Sequence, residues 1–161
     1  MPINQQERLK FEHWIVGFTD GEGCFSVSII KNHTTKSGWQ IFPEFVITQG
    51  ERSLKALEKI KKFFRCGKIY INRRKDNHQE NLYRYCVRSV SDLSEIIIPF
   101  FSAHRLQTAK ADDFKKFIKI IKLIKQGKHL KENGKIQIAR IIEQMNRRTP
   151  ARFLESPETK R

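Results

Sequence analysis

Apolar and polar positions change their period several times along the chain, and each change marks an element. From Gln6 to Thr19 the apolar residues Leu9, Phe11, Trp14, Ile15, Val16 and Phe18 crowd toward the C-terminal half, predicting a helix buried at that end. Asp20-Gly21-Glu22-Gly23 breaks the run. From Cys24 to Asn32 the pattern alternates, with Phe25, Val27 and Ile29 on one face and Ser26, Ser28, Ile30 and Asn32 on the other, which predicts a strand. Residues 33–38 form a polar hairpin loop, and Trp39 to Gln49 alternates again. There Trp39, Ile41, Phe45 and Ile47 oppose Gln40, Phe42, Glu44, Val46 and Thr48.

Between Glu51 and Phe64 the spacing of Leu54, Leu57, Ile60, Phe63 and Phe64 is helical, with lysines outside. Gly67 opens a second strand pair. In its first strand Ile69 and Ile71 oppose Lys68, Tyr70, Asn72 and Arg74; in its second, from Leu82 to Val90, Arg84 and Arg88 share a face with Cys86. Ser91 is placed to cap a helix through Ile98 that Pro99 ends. Ala109 to Gln126 predicts a two-faced helix, Phe114, Phe117, Ile118, Ile121 and Ile124 inside, and a last helix follows near Lys135 to Arg147. Helix, two strands, helix, two strands, helices is an α+β order with an antiparallel sheet. The expected organisation is one domain over residues 1–161, its core about 7–147, with a basic tail at 149–161.

Composition narrows what such a fold binds. Lys and Arg number 32 against 17 Asp and Glu, a net charge of +15, which is the footprint of a nucleic-acid binder, although anionic membranes attract the same charge. No stretch approaches the roughly 18 uncharged apolar residues a membrane span needs, and the first seven residues lack the pattern of a secretory signal, so a soluble, non-secreted protein without a membrane partner is expected. Cys24, Cys66 and Cys86 are too few and too scattered for a disulfide framework or a paired-ligand zinc site; all three are expected buried and reduced. The five histidines show no ligand spacing.

One sheet face is apolar and three helices have stripes to cover it. The other carries Gln, Ser, Asn, Arg, Lys and Tyr, side chains that can read base edges in a major groove; solvent alone is the ordinary occupant of such a face. At the first helix end, Glu22 is a hard oxygen ligand suited to a divalent cation beside a phosphate, and the Gly21 carbonyl can add a second. Such an ion would assist phosphodiester hydrolysis. Taken alone, Asp20-Gly21-Glu22-Gly23 reads more readily as a turn with solvated carboxylates than as a metal site. Gly17 and Gly21, four apart, would leave one helix face smooth enough for another backbone.

Ile15-Val16-Gly17-Phe18-Thr19-Asp20-Gly21-Glu22-Gly23 resembles the motif of the LAGLIDADG homing endonucleases, site-specific DNA endonucleases encoded in introns and inteins. Ile47-Thr48-Gln49, Cys66-Gly67-Lys68-Ile69-Tyr70 and the stretch from Pro99-Phe100-Phe101 to Lys110 extend the likeness over most of residues 11–124. The resemblance implies the family's fold, a four-stranded antiparallel DNA-binding sheet backed by helices with the motif helix at a dimer interface. It implies Glu22 as metal ligand with the Gly21 carbonyl, and Gly17, Phe18, Asp20 and Gly21 in or beside the helix contact. Gln49 matches the family's polar residue that positions water, and Lys110 its basic residue near the phosphate, with Thr108 taking that place if the register shifts by two. Glu22 stands where the family more often has Asp, one methylene shorter.

Only one motif is found, so the resemblance implies a homodimer on near-palindromic double-stranded DNA, cutting both strands with Mg²⁺ or Mn²⁺ and held uncleaved by Ca²⁺. Ser26, Ser28, Asn32, Gln40, Glu44, Tyr70, Asn72, Arg74, Arg84 and Arg88 are the candidates for sequence readout, each of them equally compatible with an idle surface role. Lys36, Lys115, Lys116 and Lys119 are candidates for phosphate contacts or simply a solvated face. Two readings compete, an intron RNA maturase and a DNA-binding protein that has lost cleavage; Glu22 and Gln49 favour the endonuclease. Such genes place the protein inside an organelle, chloroplast or mitochondrion, or in a microbial cytoplasm.

Overall fold

A computed structural model describes residues 4–73 and 80–146. Helix α1 (Gln5–Glu22) leads into strands β1 (Gly23–Lys31) and β2 (Trp39–Gly50), then α2 (Leu54–Phe64), β3 (Lys68–Asn72) and β4 (Leu82–Val87). Short α3 (Val90–Asp92) passes through a π-helical turn at Leu93–Ile97 into α4 (Ile98–Ala103); α5 (Lys110–Lys125) and α6 (Glu132–Ile142) follow. The four strands form one antiparallel sheet in the order β1-β2-β4-β3 within an α+β architecture, as expected. The chain divides into two compact units, Met1–Cys24 with Phe45–Ala111 and Phe25–Glu44 with Asp112–Arg161.

In the first unit Phe45 and Ile47 lie opposite Val87 and Tyr85 of β4, and Ile69 of β3 lies opposite Tyr85, so one face of this part of the sheet is aromatic and aliphatic. Phe101 of α4 meets Phe45 at 5.4 Å between ring centroids and Phe64 of α2 at 6.4 Å. Burying Phe45, Ile47, Leu57, Ile60, Tyr85, Leu93, Ile97 and Phe101 completely contributes about 1.5–3 kcal/mol for each such side chain before chain entropy is counted. Helix α1 joins this core through Ile15, and Phe11 meets Phe63 edge-on at 5.6 Å. Its buried Glu12 is paired with Arg8 at 3.0 Å, and His104 Nε2 lies 3.7 Å from its other carboxylate oxygen. Gly67 has φ +78°, and a Cβ there would stand 2.7 Å from the Cys86 carbonyl oxygen, so glycine is required where β3 is brought beside β4.

In the second unit Phe25 of β1 packs on Phe114 and Phe117 of α5 at 4.9 and 5.4 Å. Trp39 and Ala139 form a second buried contact with Ile29 and Ile136 against it. The Asn146 side-chain amide donates to the Phe25 carbonyl at 3.1 Å, fastening the segment after α6 to β1.

Several boundaries differ from those the pattern predicts. Helix α1 runs through Asp20, Gly21 and Glu22 without a turn, because Gly23 at φ −82° switches directly to extended backbone. Strand β4 ends at Val87, where Ser89 rather than Ser91 caps the following helix by accepting from the Asp92 N–H. Pro99 does not end the helix. The preceding π turn widens the bonding to i→i+5, with the Ile98 N–H on the Leu93 carbonyl, and proline takes an early position of the next α segment, where no donor is needed. In α5 Ile120 is buried and Ile118 half-exposed, and α6 begins at Glu132 and ends at Ile142. Cys86 is buried, but Cys24 and Cys66 are only half-buried. Glu44, expected on the open face, is 7% exposed, as is Val46 of the same parity, so this stretch of β2 is covered on both faces. Arg74 and the basic tail lie outside the described residues.

Candidate active site at the end of the first helix

The last four carbonyls of a helix have no donor within it and carry the negative end of its dipole. In α1 these belong to Thr19, Asp20, Gly21 and Glu22. Lys110, the first residue of α5, places its ammonium on two of them, donating to the Thr19 carbonyl at 2.9 Å and the Asp20 carbonyl at 3.1 Å. An ammonium has three hydrogens, so one more acceptor can be served. Gly23 also donates to Thr19, and a Cβ at Gly23 would meet Thr19 Cγ2 at 2.6 Å, so glycine is needed for the helix to turn into β1 so tightly.

Asp20 holds the segment that carries Lys110. One carboxylate oxygen accepts the Gln107 N–H at 2.8 Å; the other accepts the Thr108 N–H at 3.1 Å and the Thr108 hydroxyl at 2.7 Å. The Thr108 hydroxyl oxygen in turn lies 3.3 Å from the Lys110 N–H. Partial burial alone would raise the Asp20 carboxyl, but these hydrogen bonds, with the nearby Lys110 ammonium, outweigh it and hold the group below its usual range. The Asp20 side chain is thus turned to the 107–108 segment of its own chain. Thr108 and Lys110, alternatives for one place in the sequence, have separate positions here: Thr108 against Asp20, Lys110 on the helix carbonyls.

Glu22 is the exposed last residue of α1, one position beyond exposed Gly21. A carboxylate and a last-turn carbonyl are hard oxygen donors beside a negative helix end, a set that fits Mg²⁺ or Ca²⁺ and suits a thiophilic metal poorly. Among the described residues no group of three or more His, Cys, Asp or Glu gathers into a metal cluster. Gln49 is half-buried near the end of β2, opposite Tyr83. Its parity is that of Phe45 and Ile47, so it belongs to the helix-covered face of the sheet. Thr48, by contrast, lies opposite Arg84 and shares the other face.

That other face in the first unit carries Thr48, Arg84, Tyr70, Lys68 and Asn72; Tyr70 lies opposite Arg84, and the Arg88 guanidinium stands 4.8 Å from the Tyr70 ring centroid. In the second unit Ser28 and Gln40 are exposed and Ser26 and Asn32 half-exposed. On α1, Trp14 is 40% exposed and stacks on Phe18 at 4.9 Å, while added Cβ atoms at Gly17 and Gly21 would meet nothing within 4 Å. Sequence reasoning missed the Gln107–Thr108 clamp on Asp20, which spans 87 and 88 residues and leaves no local signal.

The LAGLIDADG endonuclease family model matches residues 15–121, running from the start of the motif through Lys110 and into α5. The chain belongs to this family. A relative from Neurospora crassa, "Probable intron-encoded endonuclease 2", is 33% identical over 145 residues, covering 89% of this chain and 28% of the relative. The crystal structure of the homing endonuclease I-TnaI superposes with a TM-score of 0.79 at 38% identity, covering 93% of this chain and 97% of that one. I-SmaMI, bound to an uncleaved DNA target in the presence of calcium ions, superposes at 0.77 and 31% identity, with 92% of this chain on 47% of that one. This LAGLIDADG chain thus spans less than a third of the curated relative's length, about half of I-SmaMI and nearly all of I-TnaI. No described helix is long and apolar enough to cross a membrane.

Proposed function

We propose that this LAGLIDADG protein is a site-specific DNA endonuclease that acts as a homodimer and breaks both strands of a long, near-palindromic site. The observation that carries the reading is the pairing at one helix end of an exposed carboxylate, Glu22, with the Lys110 ammonium anchored two and three residues earlier. Its activity would be exercised inside an organelle or a microbial cell, a reading supported by a relative named as intron-encoded.

Glu22 and the Gly21 carbonyl would hold a divalent cation, Mg²⁺ in the active protein. Bound there, the ion supplies Lewis acidity for phosphodiester hydrolysis and lowers the pKa of water. One chain offers a single carboxylate, and a second α1 end from another copy supplies the other. The open faces of Gly17 and Gly21, beside Trp14 and Phe18, support closure of two α1 helices around a two-fold axis. Lys110 keeps its anchored ammonium beside the site, where its remaining hydrogen can be given to a phosphate oxygen. Asp20 orients Lys110 through the 107–108 segment. Gln49 would hold a water by hydrogen bonds from the covered side of the sheet, while Ser26, Ser28, Asn32, Gln40, Tyr70, Asn72, Arg84 and Arg88 would meet bases and backbone.

The test is selection of cleaved and bound sites from a random DNA library with Mg²⁺ and again with Ca²⁺, using the wild type and Glu22→Gln. Cleavage of one near-palindromic class with Mg²⁺ only, and binding without cleavage by Glu22→Gln, is the expected result. A variant that still cuts removes Glu22 from the site; a wild type that binds but never cuts removes the endonuclease.

A further inference from the structure

The amide of Gln40 has its orientation decided by a chain of donors within the β1–β2 hairpin. The Thr34 backbone N–H can only donate, and it lies 3.0 Å from Asn32 Oδ1, so the Asn32 atom there must be the oxygen. The Thr34 hydroxyl donates to the same oxygen at 2.6 Å. Asn32 must therefore face Gln40 with its NH₂, and Nδ2 donates to Gln40 Oε1 at 2.8 Å. Gln40 must then present its oxygen inward, which turns Nε2 and its two hydrogens outward. Hairpin backbone bonds hold the donor chain in place: Asn32 N–H to the Gly38 carbonyl at 2.8 Å and Thr35 N–H to the Asn32 carbonyl at 3.1 Å. Gln40 itself is exposed at the start of β2.

A free glutamine reads adenine by offering one acceptor and one donor together. Here Oε1 is turned toward Asn32, which takes one of its two lone pairs, so the group turned outward is the donor. Guanine alone offers two adjacent acceptors in the major groove, O6 and N7, whereas thymine offers only O4 beside its methyl group, and adenine and cytosine each place an amino group in the way. We infer that Gln40 is a specificity-determining residue for guanine at one position of each DNA half-site, and that Asn32 is its positioning residue. The inference rests on the endonuclease reading above.

Two substitutions reverse the donor chain without removing a side chain. In Asn32→Asp one oxygen stays on Thr34 and the other faces Gln40, which must answer with its NH₂ and so turn Oε1 outward. Gln40→Glu keeps the bond from Asn32 Nδ2 and presents its second oxygen. Each converts the exposed donor to an acceptor, suited to the cytosine or adenine amino group.

Site selection from a random duplex library, with cleavage read in Mg²⁺, compares wild type with both variants. The wild type should enrich guanine at one position per half-site. Both variants should cut that guanine preference by about fivefold or more and move it to cytosine or adenine, leaving other positions unchanged. The effect of Asn32→Asp is decisive, because a residue that only supports the hairpin would weaken selection without reversing its chemistry. If Asn32→Asp lowers the melting temperature, Gln40→Glu carries the test, since it leaves the Asn32–Thr34 bonds intact. An unchanged guanine preference in a stable variant, or a loss spread over all positions, overturns the inference while a cleaved wild-type site keeps the endonuclease reading. A wild type that selects no site overturns both.

Discussion

Replacing Asp20 by Asn tests whether the clamp at the end of α1 is energetically real. The carboxylate accepts three hydrogen bonds, two on one oxygen from Thr108 and one on the other from Gln107. Asn keeps one oxygen for Thr108, but its NH₂ must confront the Gln107 N–H at the 2.8 Å contact, donor against donor. The remaining bonds also lose their charge. Hydrogen bonds to charged groups contribute about 1.5–3 kcal/mol, and because these groups are partly open to water the lower end applies, so the total loss should be about 1–3 kcal/mol. With a urea dependence of about 2 kcal/mol/M, the unfolding midpoint falls by roughly 0.5–1.5 M. The pH dependence has a definite sign. The folded carboxyl titrates below its unfolded value of about 3.9, so its stabilisation is fully present above that value and disappears as pH falls through the folded one. Urea unfolding of wild type and Asp20→Asn should therefore show a constant gap between pH 5 and 7 that closes below about pH 4, where other carboxylates cancel in the difference. Equal midpoints at pH 7, or a gap that persists unchanged to pH 3, refutes the clamp.

Lys110→Met should lower single-turnover cleavage by about 10²–10³-fold, the loss typical of one preorganised charge-stabilising donor, with binding to the same site in Ca²⁺ changed by less than about tenfold; equal losses in both would make Lys110 a binding residue. Gly17→Ala should act in opposite directions on two measurements. An added Cβ meets nothing within 4 Å, and alanine favours helix by about 1 kcal/mol, so unfolding of the dilute monomer shifts upward, while sedimentation equilibrium should show weaker self-association because the methyl enters the helix contact. Unchanged association would place the dimer contact elsewhere. Gly23→Ala should cost about 1–3 kcal/mol in urea unfolding, since its Cβ would stand 2.6 Å from Thr19 Cγ2 and 2.9 Å from the Thr19 carbonyl oxygen; a neutral effect would mean the α1–β1 junction relaxes freely.

What could be read from the sequence was whatever repeats locally. The alternation in β1 and β2 and the spacing of Leu57, Ile60 and Phe64 place those elements within a few residues, because each face recurs within one or two turns. Glu22 at the end of the first helix was legible for the same reason, through a contiguous motif. The parity of Gln49 with Phe45 and Ile47 was present in the strand pattern too, and it separates Gln49 from Thr48 once the strand is known. Glu44 was misplaced because alternation does not show where a strand is covered on both faces, as β2 is at Glu44 and Val46. Pro99 misled because the helix-breaking rule assumes i→i+4 bonding, and a π turn alters it locally. The Asp20 clamp was invisible, since two of its three donors are backbone groups of Gln107 and Thr108, and the third, the Thr108 hydroxyl, lies 88 residues away with no local signal.

The clamp also bears on why a cation should be held at Gly21 and Glu22 and not one residue earlier. The C-terminal end of α1 concentrates negative partial charge on four carbonyls, and Lys110 neutralises those of Thr19 and Asp20 with one ammonium. The Asp20 carboxylate would itself be an attractive ligand, but its oxygens are committed to three donors from the 107–108 segment. A cation drawn to this helix end therefore meets an occupied Asp20 and an ammonium that repels it from the first two carbonyls. It finds suitable oxygen at Gly21 and on the exposed Glu22 side chain. Two acidic residues two positions apart thus differ in what their carboxylates meet: Asp20 holds the segment that bears Lys110, and Glu22 is left exposed for the cation proposed above.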